Sequence, residues 1–271
     1  MKKFLSCLLI VSLVLSMNLG LFAEKAKGSL SLSGESVIRS ENSEFIEEFL
    51  SGALNYIAAQ VKDPIVGSVG GEWAVIALNR GGRKDENWNN IYLNNLKSYL
   101  DVNSNNKLTD CERMILALTS TGKDASKFYG YDLVSELKNK NSSGGYALEE
   151  QGINAVIYAL IALDSGNYLP NEEGRALRNW CIDYLLQHEK INGGWDYTGE
   201  VTGDADVDMT GIALQALAPY YKNNGYRFAE VKSSVETAVT ALQEAQREDG
   251  SFGYGEWPSS SDSAASVVMA L

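Results

Sequence analysis

Five short apolar runs recur along the chain, and each of them ends in the dipeptide Ala-Leu. Apolar residues occupy nearly every position of these runs, which is typical of helices that are buried on all sides. The alanine before each leucine would let neighbouring helices approach closely. The five closing residues are Leu78, Leu118, Leu163, Leu217 and Leu271.

An amphipathic helix is predicted before each apolar run, with charges on one face and apolar residues at i, i+3 and i+4 on the other. Strand signals are almost absent. Repeated pairs of an outer amphipathic helix and an inner buried helix form an open solenoid or a closed α/α toroid. The five amphipathic segments are 44–61, 90–100, 131–139, 175–189 and 231–248.

We therefore expect an all-α fold, an α/α toroid with an inner and an outer ring and five helix pairs. Leu271 falls inside the fifth inner helix, and no glycine or polar cap follows it. A helix that ends without a cap leaves backbone carbonyls without partners. The toroid in this sequence is therefore expected to be incomplete or truncated at its C-terminus.

The N-terminal segment differs in pattern from the repeats. The residues MKK precede a long uncharged apolar run, which predicts a secretory signal peptide over 1–23, with an uncleaved membrane anchor as the alternative. The polar, serine-rich segment 24–43 is interpreted as a linker, and 44–271 as the toroid domain. No other stretch is long and apolar enough to span a membrane. These features predict a secreted or cell-surface protein, with further cell-surface modules downstream among its expected partners.

Composition narrows the range of partners. The chain has 23 basic and 35 acidic residues, and a signal peptide over 1–23 would remove only Lys2 and Lys3 from this balance, leaving a net charge of −14. A charge of this sign disfavours nucleic acid and suits neutral or cationic ligands. His188 is the single histidine, which argues against a multi-histidine zinc site. Cys111 and Cys181 lie in helical patterns and are interpreted as buried hydrophobic residues.

Polar residues on the apolar helices share one stripe. Residues nine, five and two positions before each closing leucine lie on one helix face. A buried polar residue is costly unless it is paired or faces water. The stripe therefore predicts a ligand-binding central cavity, with a filled core of mutually paired side chains as the alternative. The predicted lining is Trp73, Arg113, Asn154, Tyr158, Asp208, Gln215, Asp262 and Ser266.

An acidic loop precedes the fourth inner helix and contains Asp204, Asp206 and Asp208. Carboxylates at a helix start either cap free N–H groups or, if they point into a cavity, contact a ligand or catalyse. Thr210 has the same two interpretations. Trp195 belongs to a glycine-then-aromatic loop that also occurs at 142–146 and 249–255, and it would fill a gap between helix pairs or contact a glycan.

The repeats resemble the prenyltransferase/squalene-oxidase repeats of the terpenoid-cyclase and protein-prenyltransferase toroids. Residues 246–252, QREDGSF, are similar to the Gln-x-x-x-Gly-x-Trp motif of triterpene cyclases. The run 206–210, DVDMT, resembles their Asp-x-Asp-Asp-Thr motif, with Met209 in place of the last aspartate. The resemblance implies Asp208 as proton donor beside Asp206. Exported bacterial toroids and the vitamin B12 carriers are further relatives, and the latter imply a corrinoid-type ligand.

A calcium site is predicted independently of that resemblance. Residues 101–112, DVNSNNKLTDCE, match the EF-hand loop between two predicted helices. A plain helix connection with capping residues is the alternative. The proposed ligands are Asp101, Asn103, Asn105, Lys107 through its carbonyl, and Glu112.

Together these features predict an exported or cell-surface module that binds a small molecule or a glycan without catalysis. One alternative is a class II terpene cyclase that uses Asp208 as general acid. The other is a glycoside-active toroid enzyme with a carboxylate pair among Asp206, Asp208 and Asp262.

Overall fold

The computed structural model describes residues 35–103, 106–222, 224–253, 255 and 258–271. These residues form ten α-helices and one 3-10 helix, Ala147–Gln151, with two isolated β-bridges and no β-strand, so the prediction of an all-α fold is confirmed. None of the described helices is both long and apolar enough to cross a membrane. In chain order the helices are α1 Glu35–Gln60, α2 Glu72–Arg80, α3 Glu86–Val102, α4 Leu108–Ser120, α5 Leu133–Glu136, α6 Ile153–Ser165, α7 Glu172–Gln187, α8 Val207–Tyr221, α9 Phe228–Ala245 and α10 Ser261–Ala270.

The described chain begins inside the predicted linker. Helix α1 starts at Glu35, so residues 35–43, which fall in the predicted linker, are helical. The segment ESVIRSENS contains neither proline nor glycine, and nothing in it stops a helix from extending upstream. The predicted signal peptide, residues 1–23, and the rest of the linker lie outside the described residues.

The third amphipathic helix is also shorter than predicted. A helix was expected over 131–139, but α5 spans only Leu133–Glu136. The residues that follow it contain serines and the pair Gly144 and Gly145, which favour turns. The backbone instead folds back through the bridge between Lys140 and Tyr146 into the 3-10 helix.

The apolar helices pack in a row in chain order. Helix α2 contacts α4, α4 contacts α6, α6 contacts α8, and α8 contacts α10. Helices α1, α7 and α9 pack against α2, α6 and α8 respectively, and α7 also contacts α9. The Ala-Leu helices thus form one layer, and amphipathic helices cover it on the other side.

Small residues allow the inner helices to approach closely. Ala77, Ala117 and Ala162 are 0% exposed. Gly211 on α8 lies directly against α10, where an added Cβ would stand 2.6 Å from the carbonyl oxygen of Ser266. The alanine before each closing leucine therefore has the packing role expected of it for these three helices.

A polar network fixes the turn between α6 and α7. The Arg178 Nε donates to Asp164 Oδ1 at 2.7 Å, and its Nη2 donates to the carbonyl oxygens of Leu163 and Tyr168 at 2.9 Å. The second carboxylate oxygen of Asp164 accepts from the Tyr220 hydroxyl of α8 at 2.8 Å. Both oxygens of this half-buried carboxylate therefore have partners. We call Asp164, Arg178 and Tyr220 the corner network.

The loop after α7 is held by a buried ion pair. Lys190 is 3% exposed, and its Nζ lies 2.8 Å from Asp196 Oδ2 and 2.8 Å from the carbonyl oxygen of Thr202. Burial tends to raise the pKa of Asp196, but hydrogen bonds from Lys190 and Thr198 and the Lys190 charge leave that pKa below its usual value. The single histidine has a packing role. His188 ends α7 and stacks on Tyr184, with 3.9 Å between ring centroids.

Candidate functional site

The predicted polar stripe is the half-buried side of the inner helices. Between Ile153 and Leu163 on α6, only Asn154, Tyr158 and Ile161 escape full burial. Between Val207 and Leu217 on α8, the same holds only for the residues at the equivalent three positions, Asp208, Ile212 and Gln215. Every other residue in both windows is buried. One face of each helix is therefore left accessible, and its spacing of i, i+4 and i+7 is that of a single helix side.

The remaining predicted lining residues share this partial exposure. We call the whole set the inner face. It consists of Trp73, Arg113, Asn154, Tyr158, Asp208, Ile212, Gln215, Asp262 and Ser266, all of which are half-buried.

Two aromatic rings meet on the inner face. Trp73 on α2 and Tyr158 on α6 have ring centroids 5.9 Å apart at an interplanar angle of 59°. Helix α4 packs between α2 and α6. The two rings therefore reach each other across α4 and give the inner face an aromatic contact that joins its first and third helices.

A second row of residues borders the inner face, six positions before each closing leucine. Glu72 on α2 is close enough to Arg113 on α4 for their charges to interact. Glu112 on α4 has the same relation to Tyr158 on α6. In the later repeats an apolar residue or glycine holds this position. Two acids in one repeat position of apolar helices are a signal present in the sequence, but this position lies outside the predicted stripe, and Glu112 was predicted only as a calcium ligand.

Glu72 is buried, and its carboxylate has hydrogen-bond partners. It is 1% exposed, and its carboxylate accepts from the Gly67 N–H at 3.1 and 3.2 Å and from the Tyr92 hydroxyl at 3.4 Å. Burial raises the pKa of Glu72, while the hydrogen bonds and the Arg113 charge oppose that rise. This acid fixes the loop that leads into α2.

Glu112 is buried without such partners. It is 0% exposed, and neither carboxyl oxygen has a hydrogen-bond partner. Burial raises the pKa of Glu112 well above its usual value, the Arg113 charge opposes this, and the Asp110 charge adds to it. The guanidinium of Arg113 is bonded to Asp110 instead. An isolated buried carboxylate is very costly, so burial favours the protonated form of Glu112.

Asp208 and Asp262 form a pair across α8 and α10. The Oδ1 atom of each is buried and has no hydrogen-bond partner. Burial raises the pKa of Asp208, an interaction with the Ser263 hydroxyl lowers it, and the charges of Asp206 and Asp262 raise it further. Burial also raises the pKa of Asp262. None of the ion pairs found in the described part of the chain involves either residue.

Asp206 caps the start of a helix, which was the alternative to a catalytic or ligand-contacting role. It is the N-cap of α8, and its Oδ1 accepts from the Met209 N–H at 2.8 Å. Asp204 is exposed. Of the acidic loop, only Asp208 faces the inner side of the helix row with an unpaired oxygen.

Trp195 and Thr210, two of the predicted ligand contacts, are buried and hydrogen-bonded to each other. Both are 0% exposed. The Trp195 indole N–H donates to the carbonyl oxygen of Leu185 at 2.8 Å, and its backbone N–H donates to Thr210 Oγ1 at 3.0 Å. Gly193 and Gly194, which have positive φ, turn the chain so that the indole enters the core. The glycine-then-aromatic loop fills a gap here.

The proposed calcium loop is partly engaged in other contacts. Asp101 Oδ2 lies 2.6 Å from Lys97 Nζ, and its Oδ1 accepts from the Tyr131 hydroxyl at 2.8 Å. Asn103 is the C-cap of α3, and Lys107 is the N-cap of α4. Glu112 lies in the interior, and Asn105 lies outside the described residues. No group of three or more His, Cys, Asp or Glu in the described part of the chain is arranged to hold a metal ion. Calcium binding stays a prediction.

Comparison with protein-family models, with curated proteins and with solved structures found no match for this chain. The family resemblance therefore stays a prediction that rests on the repeat pattern and the two motifs. Function has to be argued from the inner face itself.

Proposed function

We propose that this chain is an exported or cell-surface protein whose inner face binds a small molecule or a glycan without chemical change. The observation that carries the proposal is the burial pattern of α6 and α8. Within 153–163 and 207–217, where every other residue is buried, the accessible positions hold the polar or aromatic residues Asn154, Tyr158, Asp208 and Gln215 together with the aliphatic Ile161 and Ile212. Binding sites combine apolar walls with a few convergent polar groups in this way.

The chemistry of the inner face indicates the kind of ligand. Asp208 and Asp262 have buried oxygens without partners, and Gln215 and Asn154 add amide groups. Trp73 and Tyr158 provide ring surfaces for an apolar group. Arg113, the cation of this face, is already bonded to Asp110. A neutral or cationic ligand that donates hydrogen bonds fits this set, whereas an anion does not.

An α/α toroid contains a row of inner helices packed in chain order, and the five inner helices of this chain pack in that order. We extend the proposal to this fold: the row is an arc of an α/α toroid, and the inner face lines its centre. A corrinoid-type ligand is the specific expectation that follows from the resemblance to the vitamin B12 carriers.

Calorimetric titration against a corrinoid, an isoprenoid alcohol and a set of neutral oligosaccharides tests the proposal. We expect one class to bind and the variant Asp208→Asn with Gln215→Ala to weaken that binding at least tenfold. Glu244→Gln, a change of an exposed acid on α9, is the control and should leave affinity unchanged. Absence of heat with every probe, or equal loss in the control, would contradict the proposal.

One observation favours a second candidate, the class II cyclase. Burial raises the pKa of Asp208, and this favours the protonated form of the residue that the resemblance assigns as general acid. Against it, Met209 replaces the third acid of the motif and is 9% exposed, packed in the core. Incubation with squalene or a prenyl diphosphate followed by product analysis distinguishes the two. A cyclic hydrocarbon whose yield collapses in Asp208→Asn would establish catalysis and replace the binding proposal.

The pair Asp208 and Asp262 also keeps the glycoside-active alternative open to test. Two carboxyl groups on neighbouring helices are the kind of arrangement that glycosidases use. Release of reducing sugar from the oligosaccharides of the binding assay, lost in Asp262→Asn, would support this alternative.

A further inference from the structure

Tyr197 is the most exposed aromatic side chain among the residues that the structure describes, and the proposed function gives it no role. It is 69% exposed and lies on the loop between α7 and α8. Ile191 and Val201 of the same loop are exposed as well, and the Ile191 N–H donates to the Val201 carbonyl oxygen at 3.0 Å. Single exposed apolar residues are ordinary, but a group of them on one loop indicates a contact surface. We call residues 190–202 the Tyr197 loop.

The backbone around Tyr197 is held in place by hydrogen bonds. Asp196 Oδ1 accepts from the N–H groups of Thr198 at 3.0 Å and Gly199 at 3.1 Å. Its Oδ2 lies 2.8 Å from the Nζ of Lys190, which is buried. Tyrosine has only two side-chain torsions, so a tyrosine ring on a fixed backbone loses little conformational entropy when a ligand covers it. The loop therefore presents a preorganised aromatic surface.

The Tyr197 loop lies at the N-terminal ends of two inner helices. The Tyr197 carbonyl oxygen would stand 3.8 Å from a Cβ added to Gly152, the N-cap of α6. The N–H of the α8 N-cap donates to the Trp195 carbonyl oxygen at 2.9 Å. Each of these N-caps is followed two positions later by an inner-face residue, Asn154 on α6 and Asp208 on α8. Tyr197 is therefore placed at the end of the inner face where these two polar side chains begin it.

The chemistry at this end of the inner face favours a neutral sugar. Glu200 and Asp204 are exposed whereas Lys190 is buried, so an anionic ligand is disfavoured. A pyranose ring offers C–H groups that pack on the face of a tyrosine ring, and hydroxyl groups that donate to carboxylate and amide oxygens. An isoprenoid alcohol offers one hydroxyl group only, and it would leave most of these acceptors without a donor.

A protein partner fits this surface less well than a sugar does. Stable protein interfaces bury about 800 Å² on each side. The exposed apolar side chains of the Tyr197 loop belong to three residues, Ile191, Tyr197 and Val201, of one short segment. A contact surface of this size suits a sugar ring.

We propose that the inner face binds a neutral oligosaccharide and that Tyr197 is the residue on which one of its sugar rings stacks. The sugar occupies the inner face, so its assignment rests on the proposed function of that face. Asn154 and Asp208 bond the hydroxyl groups of the sugar unit next to the stacked one. Tyr197 thereby selects a glycan over the other ligands that the inner face was considered for.

Calorimetric titration with cellohexaose, xylohexaose, mannohexaose and chitohexaose tests the role of Tyr197. We expect at least one of these sugars to bind the wild type, and Tyr197→Ala to weaken that binding about tenfold. Tyr197→Phe should stay within about twofold of the wild type, because stacking uses the ring and not the hydroxyl group.

Tyr129→Ala is the matched control. Tyr129 is 63% exposed and lies on the loop before α5, which the Tyr131 hydroxyl ties to Asp101 of α3 at 2.8 Å, away from the Tyr197 loop. This variant should leave the affinity for the sugar unchanged. Equal weakening in Tyr129→Ala and Tyr197→Ala overturns the assignment of Tyr197.

The remaining outcomes separate Tyr197 from the inner face as a whole. Sugar binding that is lost in Asp208→Asn with Gln215→Ala but kept in Tyr197→Ala overturns the stacking role and leaves the proposed function standing, as does binding of the corrinoid or the isoprenoid alcohol alone. A lysine- and leucine-containing peptide that binds through Tyr197, where no sugar binds, assigns the loop to a protein partner and overturns the sugar. Absence of heat with every probe contradicts both the sugar and the proposed function.

Discussion

The corner network and the inner face use the same kind of residue in opposite ways. At the corner, Asp164 is half-buried on an inner helix, and Arg178 and Tyr220 satisfy its two oxygens. On the inner face, Asp208 is half-buried on the next inner helix, and one of its oxygens has no partner. Satisfied buried polar groups fix a structure, and unsatisfied ones cost stability. The difference indicates that the corner network serves the fold, and it is consistent with the ligand-binding role that we propose for the inner face.

The largest expected effect on stability comes from disrupting the corner network. Arg178→Met removes the hydrogen bonds to Asp164, Leu163 and Tyr168 and leaves a half-buried carboxylate unpaired. We expect a loss of about 3–5 kcal/mol in the free energy of unfolding, measured by urea denaturation at pH 7. Arg175→Met, on the exposed side of the same helix, is the control and should change it by less than about 0.5 kcal/mol. Equal losses in both variants would show that the corner has no special role.

A smaller effect is expected where α8 and α10 meet. Gly211→Ala places a Cβ 2.6 Å from the Ser266 carbonyl oxygen and pushes apart the two helices that carry Asp208 and Asp262. We expect a net loss of about 1–3 kcal/mol in the free energy of unfolding, because overpacking outweighs the better helix propensity of alanine.

The control for that change lies on α1. Gly52 has nothing within 4 Å of an added Cβ, so Gly52→Ala should stabilise the protein by about 0.5–1 kcal/mol. Stabilisation by Gly211→Ala as well would mean that α8 and α10 can separate without cost.

The smallest expected effect on stability comes from replacing single aspartates, and it contrasts the inner face directly with the corner network. Asp208→Asn and Asp262→Asn remove charges from sites that disfavour them, and each should be neutral or stabilising at pH 8 by up to about 1 kcal/mol. Asp164→Asn should be destabilising under the same conditions, because the charge that Arg178 pairs with is lost.

The pH dependence of stability follows from the same shifts. The folded-state pKa values of Asp208 and Asp262 lie above their unfolded values, so their contribution is fully present below the unfolded pKa and is lost as pH rises through the folded pKa. The two asparagine variants should flatten the fall in thermal midpoint between pH 4 and pH 8. A fall as steep as that of the wild type would show that the two carboxyls are not shifted.

Periodicity in the sequence was sufficient for the inner helices and for the stripe. The Ala-Leu runs predicted α2, α4, α6, α8 and α10, and the i, i+4, i+7 spacing selected the residues of α6 and α8 that stay accessible. It left two interpretations open for Trp195 and Thr210, because a glycine-then-aromatic loop has the same pattern whether its ring enters the core or faces a ligand. The length of α5 was misjudged, since propensity sets helix ends only loosely.

What the sequence determined by itself is the local order: which segments are helices, which side each buries, and which repeat positions carry polar groups. These follow from hydrophobic spacing along a rigid helix. What only the tertiary structure decided is which polar groups find partners. Asp164 is paired because Arg178 and Tyr220 come from other helices, whereas Glu112, Asp208 and Asp262 face neighbours that offer no hydrogen bond to their buried oxygens. Partners distant in sequence meet only when helices pack, so no local pattern distinguishes a satisfied carboxylate from an unsatisfied one.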